Sequence, residues 1–167
     1  MDFFDHFKIL SEQIFEVCGL QWSQVEVEAE SSEYQAGRFK INNKTVLYRH
    51  AKITPTKNGQ FVTLWKRIGK KPIQPYDSSD HIDLFVVTVK TKNNYGQFIF
   101  PKLVLIKQGV FSTNGKGGKR ALRVYPPWDK TESKQAEKTQ NWQLDFFVEI
   151  PKNKSIDVKK MRSLYLG

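Results

Sequence analysis

Residues 81–102 read HIDLFVVTVKTKNNYGQFIFPK, and this stretch decides the fold. Two apolar runs rich in β-branched and aromatic residues, 84–90 and 96–101, flank a polar turn around Asn93 and Asn94. Runs of this length and composition, separated by turn-forming residues, are typical of β-strands. The stretch therefore predicts a β-hairpin in the middle of the chain.

Strand signals continue on both sides of this hairpin. Phe39, Ile41, Val46 and Tyr48 alternate with polar residues about an Asn-Asn-Lys turn, which predicts a second hairpin within residues 37–53. The remaining strand-length runs are a weakly alternating edge strand at 24–30 and the segments 60–68, 83–90, 96–108, 120–125 and 143–150.

Helical periodicity appears in three places. Apolar residues recur at helical spacing over 3–18, with Asp2 as N-cap and Gly19 as the stop signal. Residues 131–140 and 156–166 are the other helix candidates. The pattern predicts an α+β fold, a single mixed, mainly antiparallel sheet flanked by two or three helices, in one domain spanning residues 1–167.

Size and composition narrow the class of protein. A chain of 167 residues with 39% hydrophobic content can bury the core of one domain. No apolar run approaches the roughly 18 to 20 residues of a membrane helix, and the first residues lack the basic start and apolar stretch of a signal peptide. We therefore expect a cytoplasmic protein with no membrane partner. The lone Cys18 excludes an internal disulfide and is expected to be a buried structural thiol.

The net charge of +10 is unevenly distributed along the chain. Residues 1–33 hold eight acids and a single base, whereas residues 34–128 hold eighteen bases and three acids, Asp77, Asp80 and Asp83. Long stretches of one sign are typical of a polyanion-binding surface. Anionic lipid is a poorer candidate than nucleic acid, because the clear amphipathic helix lies in the acidic third.

Aromatic residues are interleaved with the bases, as at Tyr48-Arg49 and Trp65-Lys66. Single-stranded nucleic acids favour this mixture, because bases stack on aromatic rings while Lys and Arg follow the phosphates. A Pro126-Pro127 pair precedes Trp128, which we expect to be accessible. The candidate nucleic-acid contacts are Arg49, Lys52, Lys57, Lys66, Arg67, Lys102, Lys116, Lys119, Arg120, Arg123 and Trp128.

The glycine-rich segment NGKGGKR at 114–120 lacks the spacing of a nucleotide-binding P-loop. Small residues nevertheless allow backbone amides to approach a phosphate that Lys116, Lys119 and Arg120 would neutralise. A flexible basic hairpin turn is the structural alternative.

Four segments carry a resemblance to a known family. They are RHAKITPTKNGQFVTLWKR at 49–67, GQFIFPK at 96–102, NGKGGKRALRVYPPWD at 114–129 and KTQNWQ at 138–143. Together they resemble the MepB family of small bacterial proteins over about residues 34–145. The resemblance implies a core similar to that of PD-(D/E)xK nucleases.

A nuclease of that type needs two carboxylates on neighbouring strands to hold Mg²⁺, and a lysine. Asp80 or Asp83 could supply the first carboxylate, but the second strand offers Gln97 and Ile99, or Phe100 and Lys102 if the register slips. Asp83 and Gln97 are therefore expected to be relics of a catalytic site, with no metal or cofactor. Glu33 is a conceivable second ligand, and the acid-x-Lys triplets at 132–134 and 157–159 lie in helix-like segments.

The sequence favours a non-catalytic nucleic-acid-binding protein that prefers RNA or single-stranded DNA over duplex DNA. One alternative is a divergent Mg²⁺-dependent nuclease that uses Asp83. A second alternative is an interaction module for an acidic protein partner. Asp77, Asp80 and Asp83 are expected to be internal counter-ions or turn residues, because PYDSSDHID is rich in turn formers.

Overall fold

The computed structural model describes residues 1–167 and contains two sheets. The large sheet has six strands in the order β1-β2-β3-β6-β7-β9, and the small sheet has three in the order β4-β5-β8. The strands are β1 (Trp22–Val27), β2 (Gly37–Ile41), β3 (Lys44–His50), β4 (Lys52–Ile53), β5 (Gln60–Thr63), β6 (Leu84–Lys90), β7 (Tyr95–Pro101), β8 (Ala121–Val124) and β9 (Phe147–Glu149).

The predicted central hairpin is present as β6 and β7, which pair antiparallel with Thr88 opposite Gln97. Both strands are almost entirely buried, because alternate side chains enter two separate cores on the two faces of the large sheet. Phe85 and Val87 belong to one core, whereas Leu84 and Val86 belong to the other. Since β3 and β6 pair in parallel and the other neighbours are antiparallel, the sheet is mixed.

Four α-helices accompany the sheets: α1 (Phe3–Leu10), α2 (Lys102–Lys107), α3 (Lys134–Leu144) and α4 (Val158–Leu166). A π-helical turn at Ser11–Phe15 extends α1 at its C-terminal end. Asp2 caps the N-terminus of α1 by accepting a hydrogen bond from the Asp5 amide. Helices α1 and α4 cover one face of the large sheet, and the small sheet, α2 and α3 cover the other. No helix is both long enough and apolar enough to cross a bilayer.

Three sequence-based predictions about the fold were wrong, and one of them is the number of helices, since four α-helices are present where two or three were expected. A single sheet was expected, but β4, β5 and β8 form a second one, because β8 pairs with β5 across some sixty residues of intervening chain. Residues 96–108 were expected to be one strand, but the chain turns at Pro101 and 102–107 form α2. A short apolar run such as LVLI does not distinguish a strand from a helix by its pattern.

Candidate nucleic-acid interface

The small sheet exposes one face, and basic and aromatic side chains share it. Because directly paired residues lie on the same side of a sheet, Lys52, Phe61 and Arg123 form a row across β4, β5 and β8. Thr63 and Ala121 form the next row. We call these five residues the outer face. The opposite side chains, such as Val62 and Leu122, are buried in the core against the large sheet.

Aromatic rings on and beside the outer face are covered by cations. The Arg123 guanidinium lies 5.7 Å from the centre of the Phe61 ring, and the Lys52 ammonium lies 5.1 Å from the centre of the Tyr34 ring. Arg123 also donates to Thr54 Oγ1 and to the carbonyls of Asn58 and Gly59, which holds the β4–β5 hairpin against β8. The sheet thus presents a partly exposed Phe61, which also packs against the core, beside fixed positive charge.

Further predicted contacts surround this face. Lys57 is exposed in the β4–β5 hairpin, and Lys116, Lys119 and Arg120 are exposed in the segment before β8. Lys119 lines a shallow hollow of about 210 Å³ together with Arg123 and other residues of β8 and α3, whereas Arg120 does not.

The glycine segment is held by Asp77. Its carboxylate accepts hydrogen bonds from the Ser112 hydroxyl at 2.7 Å and the Gly115 amide at 3.0 Å. These hydrogen bonds hold the pKa of Asp77 well below its usual range, and the bond from Ser112 makes the largest contribution. Gly118 has φ +85°, and a Cβ there would lie 2.7 Å from a Pro75 carbon, so only glycine fits. The segment is therefore a tethered turn, and Asp77 has the structural role predicted for it.

Four of the predicted contacts are committed to other partners. Arg49 is completely buried, and its Nη2 donates to Glu28 Oε2 at 3.1 Å, so its prediction as a nucleic-acid contact was wrong. Lys66 pairs with Asp80 at 2.6 Å and Arg67 with Glu30 at 2.9 Å. Lys102 donates to the Asp80 carbonyl. Acids of the N-terminal third thus neutralise bases that are remote in sequence.

The expectation of an accessible Trp128 was also wrong. Its ring is only partly exposed and packs edge-on against Phe147, with 5.7 Å between ring centres. The indole Nε1 is buried and has no hydrogen-bond partner. Trp128 therefore belongs to the margin of the core.

The two predicted catalytic relics do not lie together. Asp83 precedes β6, and its Oδ2 accepts a hydrogen bond from the Thr45 amide at 2.8 Å. Gln97 pairs with Thr88, five residues further along β6, which at about 3.4 Å per residue is roughly 17 Å away. The positions beside Asp83 are Phe100 and Lys102, the slipped register. No group of three or more His, Cys, Asp or Glu side chains is arranged to hold a metal ion.

Gln97 instead belongs to a buried hydrogen-bond chain that crosses the large sheet. His6 Nε2 lies 2.7 Å from the Tyr48 hydroxyl, which donates to Thr88 Oγ1. Gln97 Nε2 donates to the same Oγ1 at 3.1 Å, and the Tyr165 hydroxyl donates to Gln97 Oε1 at 2.7 Å. Burial, followed by the positive charges of His50 and Lys90, lowers the pKa of His6 to about 4. Sequence analysis missed this chain because its members lie on five separate elements.

The structure also contains a cleft of about 560 Å³ that sequence analysis did not find. It lies between the β1–β2 edge of the large sheet and the segment that follows β5. We call it the charged cleft. Its lining residues are Glu26, Val27, Glu28, Ala29, Glu30, Ser31, Arg38, Trp65, Lys66, Arg67, Gly69, Tyr76 and Asp80.

These features define the class of small α+β proteins in which a three-stranded sheet with a basic face packs on a mixed six-stranded sheet. A family model described as MepB-like matches residues 28–149, so the chain belongs to the MepB-like family and the predicted resemblance is confirmed. A solved structure titled "Crystal Structure of MepB" is similar, with 34% sequence identity, coverage of 89% of this chain and 98% of that chain, and a TM-score of 0.76. No curated protein matches.

Proposed function

We propose that this protein binds nucleic acid without cleaving it, through the outer face of the small sheet. The observation that carries the proposal is the row Lys52, Phe61 and Arg123, in which two cations flank a partly exposed aromatic ring. Lys57 and Lys119 extend the positive charge on either side. Lysine and arginine at such positions would follow a phosphate backbone.

Single strands are the preferred ligand in this proposal. A base that is not already paired can stack on an exposed ring, and each such contact contributes roughly 1 to 3 kcal/mol. A duplex buries its base faces, so it would use the cations alone. RNA or single-stranded DNA is therefore favoured over duplex DNA, and such a partner is in keeping with a cytoplasmic protein.

We further infer that the large sheet is related to the core of PD-(D/E)xK nucleases. In support, Asp83 begins the first strand of a central hairpin, and Lys102 follows the second strand beside it. The position of the second carboxylate is occupied by Phe100 or Gln97, neither of which can bind Mg²⁺ as a carboxylate does. The nuclease alternative would therefore need a carboxylate from outside the second strand.

The direct test is fluorescence anisotropy with a labelled single-stranded RNA at increasing salt. If about 6 to 10 phosphates are neutralised, affinity for a single strand should fall by roughly 10² to 10⁴ between 50 and 200 mM salt. A flat salt response would remove nucleic acid as the partner. Binding to a polyglutamate peptide but not to RNA would favour an acidic protein partner instead.

A further inference from the structure

The acidic and basic side chains that line the charged cleft nearly balance one another, although the protein carries a net charge of +10. Its lining has four acids, Glu26, Glu28, Glu30 and Asp80, against three bases, Arg38, Lys66 and Arg67. Three of the acids form ion pairs with basic residues: Glu28 with Arg49 beneath the cleft, Glu30 with Arg67 and Asp80 with Lys66. A neutral cleft offers little attraction to phosphate, but it presents hydrogen-bond donors and acceptors side by side.

Two lining residues remain without partners. Glu26 of β1 lies directly opposite Arg38 of β2, so their side chains project from the same side of the sheet. Neither side chain forms an ion pair, and neither forms a hydrogen bond. An acceptor-only carboxylate and a bidentate guanidinium donor are thus available at the same place.

The cleft also has an aromatic wall. Trp65 is half-buried in its lining, and the Arg67 guanidinium lies 5.7 Å from the centre of the ring. Arg67 donates to Glu30 Oε1 and to the Lys71 carbonyl, which ties the segment after β5 to the end of β1. These contacts hold the segment that carries Trp65 in place relative to the β1–β2 edge.

A hydrogen bond joins the outer face to the lining of the cleft. Thr63 of that face donates a hydrogen bond from Oγ1 to Ser31 Oγ at 2.9 Å, and Ser31 lines the cleft. Ser31 has φ +60°, an unusual conformation for a residue other than glycine, and such strain concentrates at binding sites. A strand lying on the outer face would therefore pass the mouth of the cleft.

We propose that the charged cleft binds one unstacked guanine base of a single strand, with Glu26 and Arg38 as the specificity-determining residues. Both oxygens of the Glu26 carboxylate would accept from guanine N1–H and N2–H₂, and the Arg38 guanidinium would donate to O6 and N7. The Trp65 ring supplies the stacking surface. No other base presents two adjacent donors beside two adjacent acceptors. The binding of a nucleic-acid strand that passes the cleft rests on the proposed function, whereas the recognition of a guanine base by the cleft does not.

The test compares labelled 12-nucleotide uridine strands that carry one central guanosine, adenosine or inosine. The guanosine strand should bind about 5- to 150-fold tighter than the adenosine strand, and the inosine strand, which lacks the N2 amine, should lie between them. Glu26→Gln should abolish the difference, and Glu16→Gln, the same change on an exposed residue beyond the π-helical turn, should keep it. Arg38→Lys should reduce the difference without changing the salt dependence.

The failures of the two proposals are distinguishable. Salt-dependent binding of all strands with equal affinity would overturn the guanine site and leave the proposed function intact. If no strand binds, the proposed function fails. Calorimetry with guanosine 5′-monophosphate then decides separately whether the cleft binds guanine. Binding of that nucleotide to the native chain but not to Glu26→Gln would support the site, and no binding, or equal binding to both, would overturn it.

Discussion

The Tyr165 hydroxyl donates a hydrogen bond to Gln97 Oε1 at 2.7 Å, which joins the C-terminal helix α4 to the middle of the large sheet. Both side chains are completely buried. Gln97 also donates to Thr88, so its side-chain amide accepts a hydrogen bond from Tyr165 and donates one to Thr88. Gln97 is therefore a structural connector between the C-terminal helix and the large sheet.

Replacing Gln97 with Glu should destabilise the protein in a pH-dependent way. Burial disfavours the charged carboxylate and raises its folded pKa above the unfolded value of about 4.3, so stability is lost as pH rises through that range. At pH 8 the variant should be less stable than the native chain by roughly 2 to 4 kcal/mol, and at pH 5 the difference should shrink. Urea unfolding at both pH values measures this.

Gln13→Glu is the matched control, because Gln13 is exposed in the π-helical turn. It should change the free energy of unfolding by less than about 0.5 kcal/mol at either pH. Equal destabilisation by the two variants would contradict the role assigned to Gln97.

The native protein should lose stability on mild acidification. Burial lowers the pKa of both His6 and His50 to about 4, below the unfolded value of about 6.5. Between these values the unfolded chain binds more protons than the folded one, so stability falls as pH drops. Each histidine contributes a slope of up to about 1.4 kcal/mol per pH unit. Thermal unfolding between pH 7 and 4.5 should show this slope, and His50→Gln should reduce it; an unchanged slope would contradict the assignment.

Neutralising the outer face should weaken binding of a single strand. Lys52→Ala with Lys57→Ala removes two exposed cations of the small sheet and its hairpin, so the slope of log affinity against log salt should fall by about two. Lys159→Ala with Lys160→Ala removes the same charge from α4, on the opposite side of the large sheet. Anisotropy titrations should find this second pair close to the native chain, whereas equal losses would indicate only a net-charge effect.

The neighbouring basic residues Lys119 and Arg120, in the segment before β8, should contribute differently to nucleic-acid binding. Lys119 lines the hollow beside Arg123, and Arg120 does not. Lys119→Ala should therefore reduce the salt slope by about one, similarly for strands of any sequence, because phosphate contacts carry no sequence information. Arg120→Ala serves as its matched control and should have the smaller effect. The reverse order would show that the strand passes on the other side of this segment.

Mg²⁺ or Mn²⁺ should not induce cleavage of RNA or DNA. Asp83 accepts a hydrogen bond from the Thr45 amide at the start of β3, and no group of three or more His, Cys, Asp or Glu side chains is arranged around it to hold a metal ion. Asp83→Ala should cost about 1 kcal/mol of stability through the lost hydrogen bond. Incubation of labelled strands with each metal tests the first statement, and metal-dependent products that vanish in Asp83→Ala would establish the nuclease alternative.

Local pattern in the sequence was sufficient for most of the secondary structure. The β6–β7 hairpin, the β2–β3 hairpin, an edge strand close to β1 and helices close to α1, α3 and α4 follow from periodicity and turn residues, which act over a few positions. Their ends differ by up to several residues from the predicted ranges 24–30, 3–18, 131–140 and 156–166. The turn-forming roles of Asp77 and Asp80 were likewise predictable, because such residues bond to nearby backbone groups. Asp83 differs, because its carboxylate accepts from the Thr45 amide, which is remote in sequence. Family membership also followed from the sequence, since four long words match in order.

Only the tertiary structure decided which charges remain available. Arg49 looked like a surface base in a basic segment, but it is buried against Glu28 from the acidic third, and Arg67 meets Glu30 in the same way. The second sheet and the charged cleft arise from pairings between segments far apart in the chain. Those pairings depend on which faces pack together, and no local periodicity records that choice, because burial and charge pairing are properties of neighbours in space.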